Sequence, residues 1–159
     1  MVKIDGSSPA TSPAEKKQPQ TLDEFKEAAR QVEGPYLHAV MISFRESASD
    51  EEVAQAVDEL RSLGSLPGVL GLMVRESIDQ RKGRTMLELG LYENGQAFLD
   101  WRDHPKHVAF AERLKEIADW VANDSKEDQE VIDFARNLGS VGVGGALTAS
   151  LEPAPTVES

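Results

Sequence analysis

The 159-residue sequence predicts one α+β domain, a four-stranded antiparallel sheet with helices over one face. Three observations carry that expectation. Strand-like and helix-like stretches follow one another in the order β-α-β-β-α-β, the first strand is apolar on both faces, and the second helical region is broken at His104-Pro105. The length suits one domain with a core and tails, and is short for two.

Residues 1–20 are rich in Ser, Pro, Lys and Gln and have almost nothing to bury, the composition of a flexible arm. A helix is expected within residues 21–34. Thr21 and Glu24 have capping-box spacing, Leu22, Phe25, Ala29 and Val32 recur at helical intervals, and Gly34-Pro35 ends the run. Tyr36 to Phe44 alternates as a strand, with His38, Val40, Ile42 and Phe44 on one face and Leu37, Ala39, Met41 and Ser43 on the other. Ser49 and Glu52 form a second capping box before a helix through Val53, Ala56, Val57, Leu60 and Leu63, stopped by Gly64. Pro67-Gly68 turns the chain into a strand from Val69 to Val74, and the polar stretch Arg75 to Arg84 leads to a third strand from Thr85 to Tyr92. There Leu87, Leu89 and Leu91 share one face, and Met86, Glu88, Gly90 and Tyr92 share the other, more polar one.

Asn94 is placed to cap a helix that buries Ala97, Phe98 and Trp101. Pro105, with no N–H and a helical φ, suits the first position of the next helix, which is expected to run to about Ala122. His107 then shares a helix face with Phe110, Ala111, Leu114 and Ala118. Glu130 to Phe134 (residues 130–135 at most) reads as the last strand, and a helix through Val131, Phe134 and Leu138 fits the same residues. Residues 137–159, with a glycine run and a Pro/Glu/Ser-rich end, read as a flexible tail. Residues 36–136 thus make a ferredoxin-like domain. Its leucine face would meet water in a single chain, which predicts a symmetric homodimer whose two sheets close a barrel.

The formal net charge of -11 opposes binding to nucleic acid or to anionic lipid. Cysteine is absent, no apolar run is long enough to cross a bilayer, and the N-terminus lacks the apolar core of a secretory signal. A soluble cytoplasmic protein without a membrane partner is expected. Three scattered histidines do not make a zinc site, an oxygen-ligand site for magnesium is left open, and the expectation is no metal and no cofactor.

Two histidines on different elements can reach one cavity, His38 from the first strand and His107 from the sheet-facing side of its helix. An imidazole in an apolar pocket at a helix N-terminus is held neutral and can accept a proton, so His107 is the candidate base. The alternative is a satisfied core histidine. His104, beside Pro105 at a helix start, reads as a cap or a solvent-exposed residue rather than a catalyst. Tyr92 and Glu88 can add polar contacts to a substrate, and a position at the surface or rim is the alternative for Glu88. Arg75, Arg81, Lys82 and Arg84 make either an anion site or a solvated loop.

The strand Leu37-His38-Ala39-Val40-Met41-Ile42-Ser43-Phe44, the turn Leu66-Pro67-Gly68-Val69, the motif His104-Pro105-Lys106-His107-Val108-Ala109-Phe110 and the segment Ile132-Asp133-Phe134 together resemble the stress-responsive dimeric α/β barrel (Dabb) family. The histidine-proline-x-histidine-valine motif is the specific part. The resemblance implies a dimeric barrel with a cavity between sheet and helices, and Ile132-Asp133-Phe134 as its closing strand. It also implies that the chain is similar to stress-induced proteins, to stable oligomers, or to polyketide cyclases of the olivetolic acid cyclase type, which act without cofactor. In the cyclases the histidine matching His107 is the general base, the histidine matching His38 lines the pocket, and a tyrosine stands at Trp101. Indole cannot take that tyrosine's proton-exchanging role. Met86 stands where the cyclases have another pocket histidine, and the long helix is expected to run about two turns further before the closing strand than is usual. The expected function is binding of a hydrophobic, carbonyl-bearing small molecule, with cyclase or lyase chemistry; the alternative is a non-catalytic stress-response or structural oligomer. The expected site is His107 as catalyst, with His38, Trp101, Tyr92 and Glu88 binding substrate. The tail from Leu138 to Gly145 loosely resembles peptides that dock cargo in encapsulin shells, which adds a shell as a possible partner.

Overall fold

A computed structural model describes residues 20–137. The expected arm but for Gln20, and the expected tail with its encapsulin-like run but for Asn137, lie outside the described residues. The chain runs α1 (Leu22–Arg30), β1 (Tyr36–Phe44), α2 (Asp50–Ser62), a 3-10 turn (Leu63–Ser65), β2 (Val69–Glu76), β3 (Thr85–Tyr92), α3 (Gly95–Asp103), α4 (Pro105–Ile117), β4 (Ala118–Lys126) and α5 (Gln129–Asn137). Both capping boxes form, Thr21 with Glu24 and Ser49 with Glu52, so the starts of α1 and α2 are fixed by local chemistry alone. Asn94 caps α3 through a 2.8 Å bond from the Ala97 N–H.

The four strands form one antiparallel sheet in the order β2-β3-β1-β4. This is the ferredoxin-like α+β architecture that the element order predicts. The closing strand is a correction. It is Ala118–Lys126, paired with the full length of β1 from Phe44↔Ala118 to Tyr36↔Lys126, and Ile132-Asp133-Phe134 lies in helix α5. The long helix accordingly stops at Ile117 rather than near Ala122, and Ala118 belongs to a strand instead of the helix face of His107. Nine cross-strand pairs with β1 outweigh the modest helical preference of a segment holding Asp119, Asn123, Asp124 and Ser125. Its polar content is that of an edge strand. At 129–137 the helical reading prevails, and Asp128 accepts from the Val131 N–H at 3.3 Å.

Alternation along the strands puts His38, Val40, Ile42, Met86, Glu88 and Tyr92 on the side covered by helices, where Val57, Leu60, Phe98, Trp101, Phe110 and Leu114 complete the core. The other side carries Ala39, Met41, Met73, Leu87, Leu89 and Val121 in register. Met41 is 47% exposed and Val121 73%, whereas Leu91 is already buried within the single chain. The leucine face is therefore less open than its sequence implies.

Two glycines fix how helices approach the sheet. Gly68 has φ 81° in the turn before β2, a left-handed value that glycine adopts without strain. Gly95 meets α1 head-on: its N–H donates to the Val32 carbonyl at 2.9 Å, and a Cβ there would lie 1.7 Å from the Ala29 carbonyl oxygen. Gly95→Ala must push α1 away, at a cost of about 1–3 kcal/mol for overpacking a tight contact. Thermal unfolding should record a melting temperature lower by several degrees; an unchanged value would mean that α1 does not dock here.

Candidate functional site

A cavity of about 430 Å³ lies between the α3–α4 corner and the sheet. His38, Val40 and Ile42 of β1, Glu88 of β3 and Trp120, Ala122 and Asp124 of β4 form its floor, with Trp101, His107, Phe110 and Leu114 opposite. Phe25 of α1 also reaches it. Asp103, Glu112 and Lys115 stand at its exposed rim.

The α3–α4 corner positions His107. His104 ends α3 with its N–H on the Trp101 carbonyl at 3.2 Å and starts α4 by accepting the Lys106 N–H on Nδ1 at 3.1 Å, the capping role expected of it. Pro105 occupies the first turn. Two residues on, in the same turn, His107 Nδ1 lies 2.8 Å from the Arg102 carbonyl oxygen. A carbonyl can only accept, so Nδ1 carries the hydrogen and Nε2 keeps its lone pair. Burial is the main cause that lowers the His107 imidazole to about 4, opposed by the Arg102 carbonyl. The ring is neutral at pH 7. Trp101 packs against it at 4.3 Å between ring centroids, while the indole N–H donates to the Leu63 carbonyl at 3.0 Å. Trp101 shapes the wall and has no hydrogen left to offer.

His38 is held by two residues that the sequence reading does not pick out. Asp124 sits directly across β1–β4 from it, and Asp124 Oδ1 accepts both from His38 Nδ1–H at 2.8 Å and from the Tyr36 hydroxyl at 3.0 Å. That bond makes Nδ1 the donor toward Asp124 and fixes the orientation of the His38 ring. The Tyr36 hydroxyl is raised, first by burial and then by Asp124, so it stays a donor. Phe98 stacks on Tyr36 at 4.5 Å and lies 4.7 Å from His38, locking both rings.

Glu88 corrects the surface alternative: it is 4% exposed and lines the cavity floor. Its cross-strand neighbours are Val40 and Val74, which offer no hydrogen bond, and Oε1 has no partner among the described residues. Burial pushes the Glu88 carboxyl up to about 7; nearby His38 offsets part of that and Asp124 adds to it. Tyr92 lies deeper, packed on Trp101 at 5.1 Å and Phe98 at 5.2 Å, and it is not among the lining residues. Its hydroxyl, also without a partner, is raised by burial and then by Glu88. Gly90 between them leaves the room: a Cβ there would be 2.6 Å from the Tyr92 hydroxyl oxygen.

The structure thus brings His38, Trp101, His107 and Glu88 to one cavity and sets Tyr92 behind it. The expected base, a second imidazole and a buried carboxyl share one apolar space, which suits proton transfer on an uncharged ligand. Among the described residues no group of three His, Asp or Glu is placed to hold a metal ion, and no helix is long and apolar enough to cross a membrane. The basic connection is tied up locally: Arg81 pairs with Asp79 at 2.7 Å, and Arg84 pairs with Asp50 at 2.6 Å and with the Ala48 carbonyl. An Asp124 signal was available in the alternation of Trp120, Ala122 and Asp124.

The model of the stress responsive A/B barrel domain matches residues 37–134. Among solved structures, the chain is similar to a dimeric ferredoxin-like protein of unknown function from Thermobifida fusca, at 15% identity and a TM-score of 0.53 over 59% of this chain and 92% of that one. It is similar to the hydroxynitrile lyase from Passiflora edulis, at 14% identity and a TM-score of 0.54 over 61% and 96% of the two chains. It is also similar to a cofactor-independent oxygenase from Streptomyces nogalater, at 10% identity and a TM-score of 0.50 over 60% and 95%. At such identities the likeness shows the fold. No curated protein matches the sequence.

The raised Glu88 carboxyl has a consequence for stability. The folded state keeps a proton that the unfolded chain releases near 4.5, so this contribution is complete below that pH and is lost as pH rises through about 7. Glu88→Gln has no such titration. Its melting temperature relative to the native protein should therefore climb between about pH 5 and pH 8, by an amount on the order of a few kcal/mol in stability. Parallel curves for the two proteins would refute the shift.

Proposed function

Because the chain belongs to the stress responsive A/B barrel domain family, we propose that its cavity binds a hydrophobic, carbonyl-bearing small molecule and that His107 Nε2 takes a proton from it, in cofactor-independent cyclase or lyase chemistry. The observation that carries this reading is the 2.8 Å contact of His107 Nδ1 with the Arg102 carbonyl. It fixes the tautomer, aims the ring, and leaves the basic nitrogen free in a sheltered space. Val40, Ile42, Phe98, Trp101, Phe110 and Leu114 supply apolar walls for the ligand's body, and His38, braced by Asp124 and Tyr36, supplies a polar contact. The neighbours that bear enzyme names, the hydroxynitrile lyase and the cofactor-independent oxygenase, are compatible with such chemistry in this fold. A non-catalytic binding protein is the second reading, and it is favoured by Trp101, whose only donor is spent on Leu63.

The same reading joins two chains through the outer sheet face, in keeping with the neighbour described as dimeric. Met41 and Val121 are exposed there beside the half-buried Leu87 and Leu89. Covering large apolar side chains of this kind contributes about 1.5 to 3 kcal/mol each before the cost of association.

His107→Ala should leave the protein folded and lower turnover of linear poly-β-keto acids by roughly a hundredfold, the order expected for loss of a general base. His104→Ala, which removes only a cap, should lower the melting temperature while turnover per folded molecule holds. Equal turnover in both variants and the native protein would favour the non-catalytic reading. Sedimentation at micromolar concentration should find a dimer, converted to monomer by Leu89→Asp; a monomeric native protein would defeat the paired-sheet arrangement.

A further inference from the structure

We propose that Glu88 is the proton donor of this cavity, hydrogen-bonding the carbonyl oxygen of the ligand and protonating it as His107 removes a hydrogen from the neighbouring carbon. The inference rests on the reading of the cavity as a site for a carbonyl compound, and it adds a second reacting group to it. Glu88 is the one charged or polar residue type found buried among the described residues, and its flanking cross-strand partners are both valines. A leucine would fill that position without the cost of burying a carboxyl group. Instead, Glu88 lines the cavity floor with Oε1 buried and without a partner, and the only other unpartnered buried side-chain oxygen described, that of Tyr92, stands two residues away across Gly90. Two orphaned polar atoms stand on one strand face, where Gly90 leaves room for the Tyr92 hydroxyl, and Glu88, the one of the two residues that lines the cavity, calls for an external polar group.

His38 from β1, Asp124 from β4 and Tyr92 on its own strand act electrostatically with Glu88, and Arg102, Asp103, His107, Glu112 and Lys115 line the same cavity from the helices. Asp124 is engaged by Tyr36 and His38, so it adds negative potential without offering a proton. Burial favours the protonated carboxyl, the form that can donate; His38 opposes this in part and Asp124 adds to it. The step balances within the site. His107 Nε2 gains the proton of the α C–H bond, the electron pair of that bond becomes the enol double bond, and the carbonyl π pair takes the Glu88 proton. An imidazolium and a carboxylate result from two neutral groups, and reversal restores them.

Acetophenone, a neutral ketone that does not itself titrate near neutral pH, tests the assignment. The sequence holds two tryptophans, Trp101 and Trp120, and both line the cavity, so quenching of intrinsic fluorescence reports occupancy. Titrations from about pH 5 to pH 9 should show affinity of the native protein falling roughly tenfold through neutrality, the value of one lost hydrogen bond. Glu88→Gln, whose amide still donates but does not ionise, should bind at the native acid-side affinity with no pH dependence. Glu88→Leu, which packs between the valines without needing a partner, should bind about tenfold more weakly at every pH. A flat profile for the native protein, or the same fall in Glu88→Gln, overturns the role of Glu88 and leaves the cavity reading standing. Absence of quenching in the native protein and both variants overturns the carbonyl site itself.

Discussion

The pairing of β1 on both of its edges is the constraint on which everything else depends. As a central strand it is bonded to β3 from Tyr36 to Ser43 and to β4 from Tyr36 to Phe44. Its side chains therefore have no freedom to change sides, since a slip of one residue would exchange His38, Val40 and Ile42 for Leu37, Ala39 and Met41 across the whole strand. The same registers set Asp124 directly across from His38 on one side and Gly90 on the other. A stable hydrogen-bond ladder thus places the acidic, imidazole and carboxyl groups of the cavity floor with the accuracy of a sheet rather than of a loop.

Electrostatics then sorts what the ladder has placed. Burial acts on Glu88 and His107 in one energetic direction, against charge, which appears as a carboxyl drawn up to about 7 and an imidazole drawn down to about 4. Glu88 on the floor and His107 on the facing wall thus both lean toward neutrality in a chain whose formal charge is -11. Charge is carried instead at the rim and over the outer surfaces, by pairs such as Arg113 with Glu59 at 2.6 Å and Arg45 with Asp119 at 3.1 Å. Such exposed pairs contribute little to stability. They keep a negatively charged surface away from an apolar interior where uncharged ligands fit.

Where local chemistry decides structure, the sequence was readable: the capping boxes of α1 and α2, Asn94 at α3 and Pro105 at α4 all appear where their residue types require. Where tertiary pairing decides, it was not. Ala118 to Lys126 is short of large apolar residues because an edge strand has little to bury, so Ile132-Asp133-Phe134 looked the better strand although its spacing also fits a helix. Losing β4 meant losing Asp124, and with it the partner of His38 and Tyr36. The surface alternative for Glu88 arises for a different reason: a carboxyl in a strand with Gly90 looks like the solvent side, because burial of such a group is costly. Only the helices above the sheet reveal which face is covered.

The double duty of His104 has a further implication, for how the chain tolerates change in length. One residue closes α3 and opens α4, so the corner contains no spare position in which an added or missing residue could be absorbed. An α-helix turns by about 100° per residue. A single insertion between Trp101 and His107 would either unseat the Pro105 start or rotate α4 by that angle about its axis, carrying His107 off the Arg102 carbonyl while Phe110 and Leu114 left the core together. Loops such as Ser77 to Gly83 can lengthen freely, but the spacing from Trp101 to His107 is fixed by geometry as firmly as any side chain in the cavity.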